Sequence, residues 1–424
     1  MIGAPSINWY FGEEARRREE ALAAELSDRG LRRVHPATVM AVRAFVAAAL
    51  LVVLGALVRE YLVWETARMR TLLTRSLQMD AWLWQQKDFP GLVARLDPDA
   101  DPAWVRWYDR FQQGRRNWAA ADARLPRVEI GEVEMVGRGV ALVEVRYLAP
   151  ETPDRLAYRE RQAYRHRAGE WLRTAPPLDW WGAEQTLETP SFRFRYTERD
   201  AAAVEAVVAA VDGARAEMLA RLGLPTGPEP SPLEVMVQPD QTRAAAPVFS
   251  GRRLTLLSPH LARSRLLDDE TQALSRPLFL ALSRQITRDA LADHPFDPRW
   301  AGLFDAAQAW LARDVNPFLP PDPKLETGAL RQYAARNGPP TLADLHELRY
   351  AGYYWWAGWA STSMEALVAY LMNTCGPDRF DDLVYGLSRY DAWEDLSQDL
   401  CGVSAADLEQ GWHDYLRQWD MVAR

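Results

Sequence analysis

Two arginines four residues apart set the chemical question of this sequence. In "FLALSRQITRDAL", residues 279–291, Arg284 and Arg288 share one helix face, with Gln285 beside the first. A helix carrying His, Glu and His at these three positions could hold zinc through both imidazoles, with the Glu as base for the metal-bound water. None of the three residues present can do this. A guanidinium is permanently cationic and offers no lone pair to a metal, and an amide cannot take a proton from water. A second candidate, "HELRY", starts with His346 and Glu347 but has Tyr350 where the second His should stand, so it reads as an ordinary helix after Pro340. Asp289, Asp293, His294 and Asp297 gather in "DALADHPFD" and could attract a cation, although polar residues at a helix end usually face water. Cys375 and Cys401 form no Cys-x-x-Cys pair, which leaves a single disulfide in an oxidising compartment as their expected chemistry. No Gly-x-Ser-x-Gly elbow and no phosphate-cradling loop occurs.

The elements that must position these residues are spread over 424 residues, enough for two or three domains. The net charge of -8 and the absence of a basic domain argue against a nucleic-acid partner. Residues 44–58, "AFVAAALLVVLGALV", carry no charge and have no polar face. With Arg43 able to snorkel and Tyr61 and Trp64 suited to an interface, a single transmembrane helix is expected over 38–62. The charged segment 1–37 precedes it, with Arg29 to His35 placed against anionic lipid. Arginines are slightly more numerous before the span than after it, so 1–37 is assigned to the cytoplasm and the rest of the chain to the outside of the cell membrane.

Residues 66–183 begin with helical periodicity, interrupted at Pro90, and change to period two after Pro126. "RAGEW" marks a hairpin turn, and Arg159, Arg161, Arg165 and Arg167 fall on one strand face, read as a solvated outer surface. Residues 186–424 give strands first ("TPSFRFRYTERD", "LEVMVQPD", "RRLTLLSPHL") and helices from Thr271 onward. The fold class is therefore α+β.

Two resemblances follow. The tail "YRERQAYRHRAGEWLRTAPPLDWWG" resembles the last hairpin of NTF2-like domains of membrane-anchored bacterial proteins, which implies a cone of helices and curved antiparallel sheet over 66–183. The order of elements over 186–424 resembles the peptidase-MA-like, or gluzincin, domain. "RQITR" falls where that family has His-Glu-x-x-His. "PRWAGLFDAAQAWLA" is similar to its Pro-x-Trp-Leu-x-Glu-Gly helix, and the stretches "STSMEALVAYLMNTCGPDRFDDLVYGL" and "LCGVSAADLEQGWHDYLRQW" resemble its closing helical bundle. The resemblance makes Arg284, Gln285 and Arg288 vestigial zinc-site positions. It puts Asp305 in the third-ligand position when matched from the motif's end, and Leu303 there when matched from its start. It further implies that Asp305 has become the ion-pair partner of Arg284, Arg288 or both, since buried guanidinium groups without partners would be costly.

The reading that results is a membrane-anchored, extracytoplasmic pseudopeptidase. It uses no metal or other cofactor and binds a protein or peptide, for which strand addition along the old groove needs only backbone contacts. The competing expectations are a hydrolase with an unrecognised site and a sensor whose NTF2-like cavity binds a small ligand.

Overall fold

The computed structural model describes residues 13–28, 36–116, 127–137, 139–148, 158–229, 231–242, 248–265, 268–319, 328–347 and 359–418. The segment Arg29 to His35, expected to meet lipid, lies outside these residues, as do the last three positions of "HELRY". The chain divides into two compact units, Met1–Met69 and Arg70–Arg424.

In the first unit, α1 (Glu13–Asp28) is a charged helix with Arg16 and Glu20 paired one turn apart. Helix α2 (Pro36–Gln85) is continuous for 50 residues. It contains a stretch long and apolar enough to cross a membrane, with mean hydropathy 2.5 and none of that window buried in the protein. The expected span of 38–62 lies inside this helix, which does not stop at its end. Beyond Arg68 the all-round apolar surface gives way to a one-sided pattern, and Leu73, Leu77 and Leu83 become buried.

The second unit starts with that last part of α2. Asp88 caps α3 (Phe89–Ala94), with Pro90 in its first turn, where a missing N–H costs nothing. In α4 (Pro102–Arg116) Trp104 stacks on Tyr108 with ring centres 5.5 Å apart. The first sheet is an antiparallel meander of β1 (Arg127–Gly137), β2 (Val140–Leu148), β3 (Tyr158–Arg167) and β4 (Glu170–Thr174). Ala168 and Gly169, both at positive φ, form the two-residue turn between β3 and β4, as "RAGEW" predicts. The register puts Ala141, Val143, Val145 and Tyr147 opposite Tyr164, Gln162, Glu160 and Tyr158 on one face. This face meets the helices, since Arg173 lies over the Tyr108 ring and Ser76 donates to the Trp171 carbonyl. On the opposite face, Leu142 and Ala163 pack with Trp181 and Leu261.

The second sheet is mixed. β5 (Glu184–Glu188) is antiparallel to β6 (Phe192–Thr197), while β6, β7 (Leu233–Gln238) and β8 (Arg253–Leu257) run parallel. The crossover from β6 to β7 is α5 (Ala201–Ala220), which buries Val204, Val207, Val211 and Met218. A two-residue strand, β9 (Ser264–Arg265), pairs with β3 and joins this half of the sequence to the first sheet. Helices fill the remainder: α6 (Glu270–Ala290), α7 (Ala301–Asp314), α8 (Gly328–Asn337), α9 (Leu342–Glu347), α10 (Trp359–Cys375), α11 (Phe380–Arg389), α12 (Trp393–Cys401) and α13 (Ala405–Gln418). Their apolar faces and the second sheet enclose the main core, with Phe279, Trp300, Phe380 and Trp412 at most 1% exposed. Cys375 and Cys401 are bonded, Cα atoms 5.0 Å apart, and tie the end of α10 to the end of α12.

Candidate functional site

Helix α6 begins at a capping box in which Asp269 and Gln272 each satisfy the other's backbone N–H. It then buries an apolar stripe that includes Leu274, Leu278, Phe279, Leu282 and Ile286. A polar seam runs along its border with α7 and the turn that follows. Gln272 Nε2 donates to the Phe318 carbonyl (2.8 Å), and Asn316 Nδ2 to Ser275 Oγ (3.2 Å). Ser283 Oγ donates to the Gln308 carbonyl, Gln308 Nε2 to Thr287 Oγ1, and Thr287 Oγ1 to the Ser283 carbonyl, each at 2.8 Å. Ser283 and Thr287 have no exposed surface and Gln308 has 1%, so α6 and α7 are clasped by neutral hydrogen bonds in the interior.

Arg284 and Arg288 come one residue after the two clasp residues, about 100° further round the helix. Arg284 is half-buried and Arg288 is exposed. The expectation of a buried arginine face is corrected accordingly: the interior positions belong to Ser283 and Thr287, which can be satisfied there without desolvating a charge. Gln285 donates to Asp289 Oδ2 at 2.9 Å. On α7, Leu303 is fully buried, while Asp305 is half-buried on the side of the two arginines. Burial pushes the Asp305 carboxyl above its ordinary pKa, and Arg284 and then Arg288 pull it down without cancelling the effect. Among the described residues, however, neither guanidinium comes within the 4.0 Å of an ion pair with Asp305, so the expected bond is replaced by through-space attraction. Arg284 stays half-buried and Arg288 exposed while the clasp does the joining.

The other sequence candidates separate. His346 stacks on Trp300 at 4.4 Å. Asp297 caps the turn before α7 and pairs with Arg299, which pulls its carboxyl down to about 2, and His294 packs edge-on to Tyr385. Among the described residues no group of His, Cys, Asp and Glu has the geometry to hold a metal ion. The arginine face of β3 is not a bare solvated surface. Arg159 lies 3.4 Å from Glu144, Arg161 3.5 Å from Glu132, Arg165 2.7 Å from the fully buried Asp97, and Arg167 2.7 Å from Asp99.

Two polar clusters were not anticipated. The first occupies the helix-facing side of the first sheet. Tyr147 donates to Glu160 Oε1 at 2.6 Å, and Gln162 bonds the same oxygen. Tyr164 in turn donates to Gln162 at 2.8 Å, while Arg173 is close enough to act on the whole group. Burial pushes the Glu160 carboxyl up. Arg173, the Tyr147 hydroxyl, Arg263 and Gln162 together outweigh that and leave its pKa below the ordinary value. The alternation of β3 held the signal, because Tyr158, Glu160, Gln162 and Tyr164 alternate with Arg159, Arg161, Ala163 and Arg165 and so share the opposite face.

The second cluster collects Ser258, Asp200 and His260, the residue types of an acyl-transfer site. Its wiring is different. Ser258 Oγ donates to Asp200 Oδ1 at 2.6 Å, and Thr197 donates to the other carboxylate oxygen at 2.9 Å. Arg161 Nη1 lies 2.8 Å from His260 Nδ1, which must therefore accept, and Nε2 faces the Arg199 carbonyl at 3.1 Å. Both ring nitrogens are engaged away from the serine, so His260 cannot take its proton. No protein-family model, curated protein or solved structure matches this chain.

Proposed function

We propose that the chain is a membrane-anchored binding or scaffold module, a pseudopeptidase whose gluzincin-like framework is retained without its metal chemistry. The carrying observation is the α6–α7 pair. By the gluzincin resemblance Arg284, Gln285 and Arg288 fall at the ligand and base positions; Asp305 feels both arginines from α7, and the Ser283–Gln308–Thr287 clasp links the two helices without a metal. Arginine and glutamine at positions 284, 285 and 288 cannot bind zinc or take a proton from water, which leaves Asp305 as a single carboxylate without co-ligands. An apolar helix supports anchorage, and an extracytoplasmic position for the folded unit agrees with the arginine distribution around it. A hydrolase based on Ser258 is disfavoured by its hydrogen bond to Asp200.

The test restores the lost residues. The full chain carrying Arg284→His, Gln285→Glu, Arg288→His and Asp305→Glu is purified beside the parent, and both are analysed for zinc and for peptide hydrolysis. The expected result is about one zinc per chain in the variant, at a three-ligand site, and none in the parent. Stoichiometric zinc or peptidase activity in the parent would overturn the reading, and a folded variant that takes up no zinc would remove the gluzincin framework from it.

A further inference from the structure

A cavity of about 390 Å³ opens between the start of β3, the outer strand β8 and the first half of α6. That volume is in the range of small-ligand pockets. Its walls are apolar where they meet α6 and β8: Leu256, Leu257, Ala273, Pro277 and Leu280. Among the described residues, the charged ones lining it are Arg263, Arg265 and Arg276 against one carboxylate, Asp268. Asp268 is occupied, since Arg276 holds it through two contacts of 2.8 and 3.0 Å.

Arg263 differs from Arg276. It is exposed, and its guanidinium lies over the rings of Tyr147 and Tyr158, 5.0 and 4.9 Å from their centres. Among the described residues no carboxylate comes within 4.0 Å of it, although Glu160 feels its charge from further away. Two aromatic faces therefore fix an arginine at the mouth of an apolar cavity with its N–H edge unclaimed by an acid. An apolar chamber with a cationic mouth is complementary to a molecule that has one apolar chain and one anionic head.

We infer that this cavity binds a single-chain amphiphile with an anionic head group, either a carboxylate or a phosphate monoester. The chain lies against Leu256, Leu257 and Leu280, and the head meets Arg263. Apolar burial supplies most of the affinity, while the guanidinium selects the sign of the head and orients it. This goes beyond the binding-module reading and does not rest on it, because the cavity lies apart from Arg284, Arg288 and Asp305.

The test uses the full chain in its own membrane. A long-chain carboxylate bearing a photoreactive group on the chain is added, the sample is irradiated, and adducts are mapped by mass spectrometry. Adducts on Leu256–Leu257 or Pro277–Leu280 are expected, with competition by dodecanoate or dodecyl phosphate, and the stronger competitor identifies the head. Arg263→Glu, at an exposed position, should lower labelling about tenfold, the effect of losing one charged contact. Ala262→Trp, which fills the cavity, should abolish it. Labelling confined to the apolar part of α2, equal labelling by an amine-headed analogue, or no competition by either anion would overturn the inference.

Discussion

Two partly buried carboxyl groups meet opposite fates in this protein, and the donors and cations around each decide between them. Asp305 is desolvated more than it is attracted, so its carboxyl is weakened as an acid, whereas Glu160 has enough donors and cations around it to be strengthened. The Glu160 carboxyl titrates below its ordinary 4.5 in the folded state. Its contribution to stability is therefore complete above that value and is lost as pH falls through the lower folded-state value. Glu160→Gln is expected to cost about 1–3 kcal/mol at neutral pH, the scale for breaking a charged buried hydrogen-bond group. The difference from the parent should shrink toward zero in acid, and denaturant melts of both proteins across pH check it. A gap that widens on acidification would contradict the assigned sign. The chemistry at Arg284, Gln285 and Arg288 could be read from residue type alone. What could not be read was one residue of helix phase: whether positions 283 and 287 or 284 and 288 turn inward depends on which face α7 covers.

Elements were legible where their signal is local. Alternation marked β1 to β4, β6, β7 and β8; Pro90 marked a helix boundary; and the turn at Ala168 and Gly169 followed from "RAGEW". β5 was missed because "EQTLE" has one apolar side chain, Leu187, and owes its strand conformation to pairing with β6. β9 was missed for a related reason, since two residues carry no periodicity and β3 alone makes them a strand. The link between α10 and α12 carries the prediction at this scale. The bond between Cys375 and Cys401 spans a separation of 26 residues. Loop-closure entropy for a loop of that length gives about 3.5 kcal/mol of stabilisation. Replacing both cysteines by serine is expected to lower stability by about 2–4 kcal/mol, measured by denaturant unfolding of the oxidised parent against the variant. A parent that is unaffected by reductant would mean that α10 and α12 are held by Leu371, Leu396 and their neighbours in the core without help from the bond.

The whole molecule poses a question of sides. The uncharged stretch of α2, residues 44–58, is about 22 Å long at 1.5 Å per residue, short of the roughly 30 Å of hydrocarbon. A crossing there draws in Arg43 at one end and Arg59 at the other, whose stems can lie along lipid while their heads reach water. Tyr61 and Trp64, with ring centres 6.3 Å apart, and Arg68 over Trp64 provide an interfacial belt at the second end. Orientation depends on the basic residues near each end. Arg29, Arg32, Arg33 and Arg43 stand on the first side, with Arg16, Arg17 and Arg18 further back, against Arg59, Arg68, Arg70 and Arg75 on the second. That bias is small, and the cysteine pair adds an independent argument, since disulfides persist in oxidising compartments. Both favour the expectation that Arg70–Arg424 lies outside the cytoplasm. A C-terminal reporter that works only in the cytoplasm is expected to stay silent, while one that works only outside becomes active. Because the charge bias is slight, replacing Arg29, Arg32 and Arg33 by glutamine should move a measurable fraction of chains to the inverted state. Strong cytoplasmic reporter activity from the unmodified chain would reverse the topology and leave Cys375 and Cys401 in a reducing compartment, where their bond would not persist.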